Sequence, residues 1–395
     1  MNVKNNVRLL YACRFFQSLI PAYVIERLFW EQRGMTIPMV VYTELIFAVT
    51  VMLLEVPTGI AADRLGRRRL LILSALMGCF EFVILVYASQ FWHFAAVVVI
   101  AGIARSAASG AENALLYDTL LQHGQEARFE RHLGRMQAID LTAAVLAALC
   151  GSLLASRFEL ELNYWISACA AGIALCVTLL LAEPRSAVSG EAAEPAAVGW
   201  GLAWTVPLRF FRKNPGVRSV VLCGIVAGAA MSYIYEFWQL YLERLNIEIA
   251  YFGLVSAVLM LIQLPGSIFA HRLKGRIRYR TLLTGIIAVF AAGFLYAAWA
   301  KDITGLAAMM LVCFVSGLLE PLTAGYLHHR IDSSLRATAD SFQSLGENAV
   351  LMLSGLGFGY MSSRYDIFGG YGWMAAVCGA WLIYMIAAGG RKIED

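Results

Sequence analysis

The stretch "EVPTGIAADRLGRRR" (Glu55–Arg69) carries a carboxylate and a proline into an otherwise apolar region, and it ends on an aspartate and four arginines. The chain around it is strongly hydrophobic: 60% of its 395 residues are apolar and 15% are charged, against roughly 25% charged in an ordinary soluble domain. A helix that crosses a bilayer needs about 20 mainly apolar residues. The composition therefore predicts a membrane protein in which this charged stretch connects two spans.

Twelve apolar stretches of that length follow one another along the chain, and each is predicted to be a membrane-spanning helix. Their approximate bounds are 8–30, 37–62, 70–90, 93–120, 136–156, 162–182, 217–242, 248–271, 280–300, 303–327, 337–362 and 369–389. If the N-terminus is cytoplasmic, most of the 31 Lys and Arg residues fall in cytoplasmic segments, as the positive-inside rule requires. We expect an all-α, multi-pass protein of a bacterial-type inner or plasma membrane with both termini in the cytoplasm.

The charged stretch recurs in a weaker form in the second half of the chain. There "QLPGSIFAHRLKGR" (Gln263–Arg276) has Gln263 at the position of Glu55 and His271 at the position of Asp63. Glutamates of the fourth and tenth predicted spans keep the same spacing. Matches at one spacing and at corresponding depths predict a duplicated six-helix unit, with both copies in the same orientation.

Within the opening stretch, "GIAADRLGRRR" (Gly59–Arg69) resembles the signature loop between the second and third helices of the major facilitator superfamily. The resemblance implies twelve transmembrane helices in two six-helix bundles related by a pseudo-two-fold repeat, with a central cavity that opens alternately to each side. The bundles are predicted at residues 1–182 and 216–395. A cytoplasmic linker, 183–215, joins them and contains a basic amphipathic stretch.

The signature loop is predicted to act as a gate. Asp63 lies at the end of a helix, where a carboxylate can pair with an arginine or accept hydrogen bonds from a neighbouring helix N-terminus. The resemblance implies that Asp63 holds the outward-facing state. For the arginines, the positive-inside bias is the alternative explanation. The predicted gating residues are Gly59, Asp63, Arg64, Gly66, Arg67 and Arg68.

Ionisable residues deep in a bilayer cost about 2.5–3.5 kcal/mol on insertion scales, so each one is a candidate functional residue. Arg105 and Glu112 are seven residues apart and share one face of the fourth helix. This pair could exchange a proton as substrate arrives or leaves; the alternatives are a structural ion pair and a link to another helix. The predicted proton-carrying residues are Glu81, Glu112, Glu320 and Glu347.

A second group of residues is predicted to line the cavity and contact the substrate. Arg14 and Gln17 are one turn apart on the first helix, and Gln263 faces inward if the repeat holds. For the aromatic members the alternative is a place in the interfacial belt. The predicted cavity residues are Arg14, Gln17, Arg105, Tyr233, Glu236, Trp238 and Gln263.

These features predict a secondary active transporter that exports a small organic compound in exchange for protons. The sequence has no phosphate-binding loop, so ATP is not expected to be the direct energy source.

The alternative within transport is an ion-coupled uptake symporter. Outside transport, the alternatives are a receptor that has lost transport and an intramembrane enzyme, but the sequence contains no HExxH, GxSxG or paired-cysteine motif. We therefore expect no enzyme, no cofactor and no metal. The expected partners are protons, membrane lipid and a small compound, and not nucleic acid. Carboxylates outnumber arginines among the deep positions, which favours a cationic or zwitterionic compound, and we expect a functional monomer.

Overall fold

The computed structural model describes residues 5–184, 214–273, 277–330 and 333–389, and nearly all of this backbone is helical. The first seven helices are α1 (Asn6–Ser18), α2 (Glu26–Gln32), α3 (Ile37–Leu65), α4 (Arg67–Tyr87), α5 (Phe91–Leu121), α6 (Phe129–Ala155) and α7 (Glu161–Leu179). The next six are α8 (Pro215–Arg244), α9 (Phe252–Leu261), α10 (Gln263–Leu273), α11 (Tyr279–Ala300), α12 (Ile303–Arg330) and α13 (Ser333–Tyr384).

Within the described residues, ten helical stretches are long and apolar enough to cross a membrane. The first predicted span is not among them because it is divided into α1, of 13 residues, and α2, of 7 residues. The last stretch, Gly346–Ala387, has 42 residues, about twice the ~20 needed for one crossing. Its backbone leaves the helical region at Tyr365 and Asp366. Counting α1 and α2 as one crossing and the last stretch as two accounts for the twelve predicted spans, and the all-α polytopic fold is confirmed.

Two prolines explain helix breaks that the apolar pattern did not predict. Pro21 begins a short 3-10 turn, Pro21–Val24, which separates α1 from α2. Pro265 lies in the first turn of α10, where its missing N–H is tolerated, and a break between α9 and α10 precedes it. The predicted spans 8–30 and 248–271 are therefore each two helices.

The chain divides by its internal contacts into two compact units. The first unit is Met1–Ala192 with Ile247–Ala257, and the second unit is Ala193–Asn246 with Val258–Asp395. Most of the predicted linker, 183–215, lies outside the described residues. The bundle boundaries drawn from the sequence therefore stay a prediction.

Polar contacts join the ends of helices in the first unit. The buried Asn6 donates a hydrogen bond to the Ala182 carbonyl (2.8 Å) and accepts one from the Ala182 N–H (2.9 Å). This reciprocal pair fixes the chain that leaves α7 against the start of α1. At the opposite end of α7, Arg33 of the α2–α3 connection donates to Glu161 (2.7 Å) and to the Ala88 carbonyl after α4 (3.1 Å).

The second unit is held by aromatic side chains and by one ion pair at its bend. Phe358 of α13 stacks on Tyr233 of α8, with 4.5 Å between the ring centroids. Arg244, the last residue of α8, donates from Nε to the Asp366 carboxylate (2.6 Å). Because Asp366 has a φ of 55°, this contact lies at the point where α13 changes direction.

Candidate functional site

A cavity of about 530 Å³ lies in the first unit. Its volume is within the roughly 300–1,000 Å³ that is usual for small-molecule sites. The lining comes from α1, α3, α4, α5 and α7, together with the turn after α1. The polar lining residues are Arg14, Gln17, Tyr23, Ser74, Glu81, Arg105, Ser109, Glu112 and Asn113. All the cavity and proton-carrying residues predicted in the first half of the chain therefore line one space.

Helical spacing explains why these side chains converge. On α4, Ser74 and Glu81 are seven residues apart and lie on one face with Gly78 between them. On α5, Arg105 and Glu112 have the same spacing and also border the cavity. The small lining residues of both helices leave the space that the longer polar side chains enter.

Arg14 of α1 is the centre of an ion-pair cluster at this cavity. Its Nε lies 2.7 Å from Glu112 Oε1, and its Nη1 lies 3.3 Å from Asp140 Oδ2. Ser18 donates a hydrogen bond to the other oxygen of Asp140 (3.0 Å). One guanidinium thus links α1 to α5 and α6. Glu112 therefore pairs with a residue of another helix, Arg14, and not with Arg105. A link to another helix was one of the alternatives left open in the sequence analysis.

Arg105 and Glu81 are placed differently from this cluster. Arg105 is exposed to the cavity and Glu81 is half-buried in its wall. Neither side chain forms a hydrogen bond or an ion pair with any residue that the structure describes. The cavity therefore presents one guanidinium and one carboxyl group that have no direct partner in this part of the protein.

The signature loop forms a second polar site at the junction of α3 and α4. Gly66 adopts φ 97°, a left-handed conformation that glycine takes without steric cost, and α4 begins at the next residue. The backbone N–H groups of Arg67 and Arg68 donate to the two carboxylate oxygens of Glu183, each at 2.9 Å. A carboxylate is stabilised there because the N-terminus of a helix carries a partial positive charge.

The arginine side chains of this loop bind neighbouring helices. Arg67 forms an ion pair with Asp118 of α5, and its Nη1 also donates to the Ala114 carbonyl (2.9 Å). Arg68 donates from Nη2 to the Leu179 carbonyl at the end of α7 (2.9 Å). These contacts join α4 to α5 and α7, whereas Arg64 and Gly59 are exposed.

The sequence did not identify Glu183 as part of this site. The carboxylate expected at a helix N-terminus was that of Asp63, whose side chain lies outside the described residues. One signal in the sequence could have identified Glu183: it is an acidic residue directly after an apolar span, at an end of the bundle where basic residues predominate. The other was the proline that follows it, Pro184, which marks the end of a helical segment.

The candidate residues of the second unit are mostly involved in helix packing. Tyr233 is buried, and its hydroxyl donates to the Leu351 carbonyl (2.7 Å); Trp238 is also buried. Gln263 donates a hydrogen bond to the Tyr235 hydroxyl, and Glu236 is half-buried. The assignment of these residues to a substrate cavity stays a prediction.

Two predicted proton-carrying residues also belong to the second unit. The carboxyl group of Glu347 lies close to Gly228 of α8. A Cβ added at Gly228 would be 2.9 Å from the Cδ of Glu347. The side chain of Glu320 lies outside the described residues. Among the residues that the structure describes, no three His, Cys, Asp or Glu side chains are placed to hold a metal ion.

A family profile described as Major Facilitator Superfamily matches residues 9–355. The chain belongs to the major facilitator superfamily. The resemblance of its signature loop is therefore confirmed over most of its length. A comparison with curated protein sequences found no match.

Solved structures of other transporters share the fold of this major facilitator. The nucleoside transporter NupG matches with a TM-score of 0.74 and 15% identity, over 98% of this chain and 99% of that one. A D-xylose-proton symporter matches with a TM-score of 0.70 and 11% identity, over 98% and 97% of the two chains. A bacterial homologue of the human lysosomal transporter Spinster matches with a TM-score of 0.67 and 14% identity, over 99% and 95%. At these identities the likeness shows the fold alone.

Membership establishes the general activity of this major facilitator. It is a multi-pass membrane protein and a transporter rather than an enzyme. Its fold supports transport of a small molecule by alternating access. The cavity of the first unit and the contacts of the signature loop are the features of the chain that bear on how it does so.

Proposed function

We propose that this major facilitator exports a small organic compound across the cytoplasmic membrane in exchange for protons. The observation that supports this most directly is Glu81, a half-buried carboxyl group in the cavity wall without an ion-pair partner among the described residues. It differs in this from Glu112, which forms an ion pair with Arg14 at 2.7 Å.

A half-buried carboxylate without a partner is costly, and two kinds of binding remove the cost. A proton neutralises the group, and a positively charged group of the compound pairs with it. The two cannot occupy Glu81 together, so binding of the compound releases the proton and binding of the proton releases the compound. Mutual exclusion at one site gives a negative coupling between the two ligands, which is the thermodynamic requirement for exchange.

The ion-pair cluster offers a second place for a proton. Arg14 supplies one positive charge to the two carboxylates of Glu112 and Asp140. One of these carboxylates is therefore left with an unbalanced charge that a proton can neutralise. In the second half of the chain, Glu320 and Glu347 are the residues proposed to carry protons.

The signature loop is proposed to close the cytoplasmic side of the cavity. Its support is the set of contacts that join α4 to its neighbours, through Glu183 at the N-terminus of α4 and through the pair of Arg67 with Asp118. Asp63 is proposed to contribute in the outward-facing state. In this arrangement both termini are cytoplasmic, residues 1–182 and 216–395 are the two six-helix bundles, and one chain suffices for function.

A second candidate is an uptake symporter that moves the compound and protons in the same direction. Its support is that one structural neighbour is a D-xylose-proton symporter, so the fold permits this coupling. The same cavity carboxylates would serve it. The two candidates differ in the sign of the coupling between compound and proton.

Proton movement in liposomes that contain the purified protein distinguishes the two. The liposomes are loaded with one compound at a time, from a panel of cationic, zwitterionic and anionic molecules, together with a pH-sensitive dye. For an antiporter we expect the lumen to acidify as the compound leaves, since protons enter in exchange. A lumen that becomes alkaline indicates symport and overturns the exchange proposal. Compound efflux without any proton movement overturns proton coupling.

A further inference from the structure

The charged residues of the cavity fall into a group joined by ion pairs and a group without direct polar contacts. Arg14 is engaged by Glu112 and Asp140, at 2.7 and 3.3 Å. Arg105 on α5 and Glu81 on α4 border the same space, and neither makes a direct polar contact with a residue that the structure describes. A molecule in the cavity thus meets one positive and one negative group that are both open to it.

These two groups select opposite charges. A guanidinium is planar and donates two parallel hydrogen bonds to a carboxylate, which makes it well suited to an anionic group. A carboxylate only accepts hydrogen bonds when ionised, and an ammonium group has three to donate. A purely cationic compound would leave Arg105 unpaired and facing another positive charge. A purely anionic compound would leave Glu81 unpaired and facing another negative charge.

The remainder of the lining indicates an apolar part of the ligand. Ile20, Phe47 and Phe82 border the cavity beside the polar residues. Neutral side chains there, such as Gln17 and Asn113, can hydrogen bond to either end of a polar molecule. The volume of about 530 Å³ accommodates a compound the size of an aromatic amino acid or a short peptide.

We propose, on the basis of the carrier function proposed above, that the compound is a small zwitterion with an apolar body. Arg105 binds its carboxylate and Glu81 binds its ammonium group. The proposal adds to the exchange mechanism a role for Arg105, as a residue that contacts the substrate and excludes simple cations. It also narrows the charge class from cationic or zwitterionic to zwitterionic.

Ligand-dependent thermal unfolding of the detergent-purified protein tests this proposal. The probes are phenylalanine, leucine and the dipeptide Gly-Phe, each compared with its N-acetyl derivative, which is an anion, and its methyl ester, which is a cation. We expect at least one zwitterion to raise the unfolding midpoint by a few °C at ~100-fold excess over its Kd. Its two derivatives should bind ~10-fold or more weakly, because each leaves one charged group of the cavity unpaired.

Variants assign the two contacts. Arg105→Gln should weaken binding of the zwitterion ~10-fold or more and should not weaken binding of the ester. Glu81→Gln should show the reverse selectivity, weakening the zwitterion and not the N-acetyl derivative. Arg157→Gln and Glu159→Gln, at exposed positions between α6 and α7, are the matched controls and should bind like the native chain.

The outcomes separate this proposal from the carrier function. Esters that bind as tightly as the zwitterions, or zwitterion binding that survives Arg105→Gln, overturn it. Failure of all three zwitterions to bind also overturns it, and the carrier function stands if the liposome panel shows another compound to be transported. Zwitterion binding without transport of any compound supports the site and contradicts the carrier function.

Discussion

At the scale of single residues, two glycines of the signature loop have different physical reasons to be glycine. Gly66 has φ 97°, and an added Cβ there would lie 3.0 Å from Glu183 Oε2. Gly59 lies inside α3, and an added Cβ would meet nothing within 4 Å. The first position combines a left-handed backbone with a crowded carboxylate, whereas the second has neither constraint.

We therefore predict that Gly66→Ala lowers the free energy of unfolding by ~1–2 kcal/mol, since alanine is strained in the left-handed region. Gly59→Ala, its matched control, should leave stability unchanged or raise it by ~0.5–1 kcal/mol, because alanine is the better helix former. The midpoint of thermal unfolding in detergent measures both. Equal effects of the two substitutions would show that the conformation of Gly66 does not matter to stability.

The sequence identified the ionisable residues of the cavity but not their partners. Arg105 and Glu112 share a face of one helix, yet residues seven apart are separated by about 10 Å along the axis. Glu112 instead contacts Arg14, which lies on α1 and far away in sequence. Helical periodicity predicts the face on which a residue lies, whereas a partner on another helix depends on how the helices pack.

At the scale of helices, the N-terminus of α4 is fastened to α5 by one ion pair with a supporting hydrogen bond. Arg67 pairs with Asp118 and donates to the Ala114 carbonyl (2.9 Å). Both partners lie on α5, so the contact fixes the position of one helix against the other. Arg69, two residues further along α4, is exposed.

A double-mutant cycle tests whether this contact stabilises the helix pair. Arg67→Gln and Asp118→Asn should each lower the unfolding midpoint, and the double variant should lower it by less than the sum. The expected coupling energy is ~0.5–3 kcal/mol, as found for residues in contact. Arg69→Gln is the control and should show no coupling to Asp118→Asn. Additive effects of the first pair would mean that the contact does not hold the two helices together.

Helix existence was predictable from the sequence, but some helix boundaries were not. Apolar length alone predicted one span at 8–30, and Pro21 divides it into two helices. The same criterion predicted one span at 37–62, and there the structure agrees, because Pro57 is accommodated inside α3. A proline ends a helix only where the freed carbonyl and the displaced backbone find no other accommodation, and this depends on neighbouring helices.

At the scale of the whole molecule, the fold class could be predicted because two independent signals agree. Hydropathy indicates many membrane-spanning helices. The signature loop lies between α3 and α4, which are the second and third predicted spans because the first span is divided into α1 and α2. The role of Glu183 could not be predicted in this way. Its contact with α4 requires the chain after α7 to return to the start of α1, where Asn6 binds Ala182. Such closure depends on the folded chain. The local signals at Glu183 and Pro184 mark the end of a span but do not indicate which helix N-terminus the carboxylate contacts.

The central claim is that a cavity carboxyl group, Glu81, exchanges a proton for the compound. The most direct measurement compares proton movement driven by a compound gradient in liposomes that contain the native chain, Glu81→Gln or the control Glu130→Gln, an exposed position on α6. We predict that the native chain and the control move protons opposite to the compound, and that Glu81→Gln abolishes this movement. Proton movement that persists unchanged in Glu81→Gln would contradict the claim.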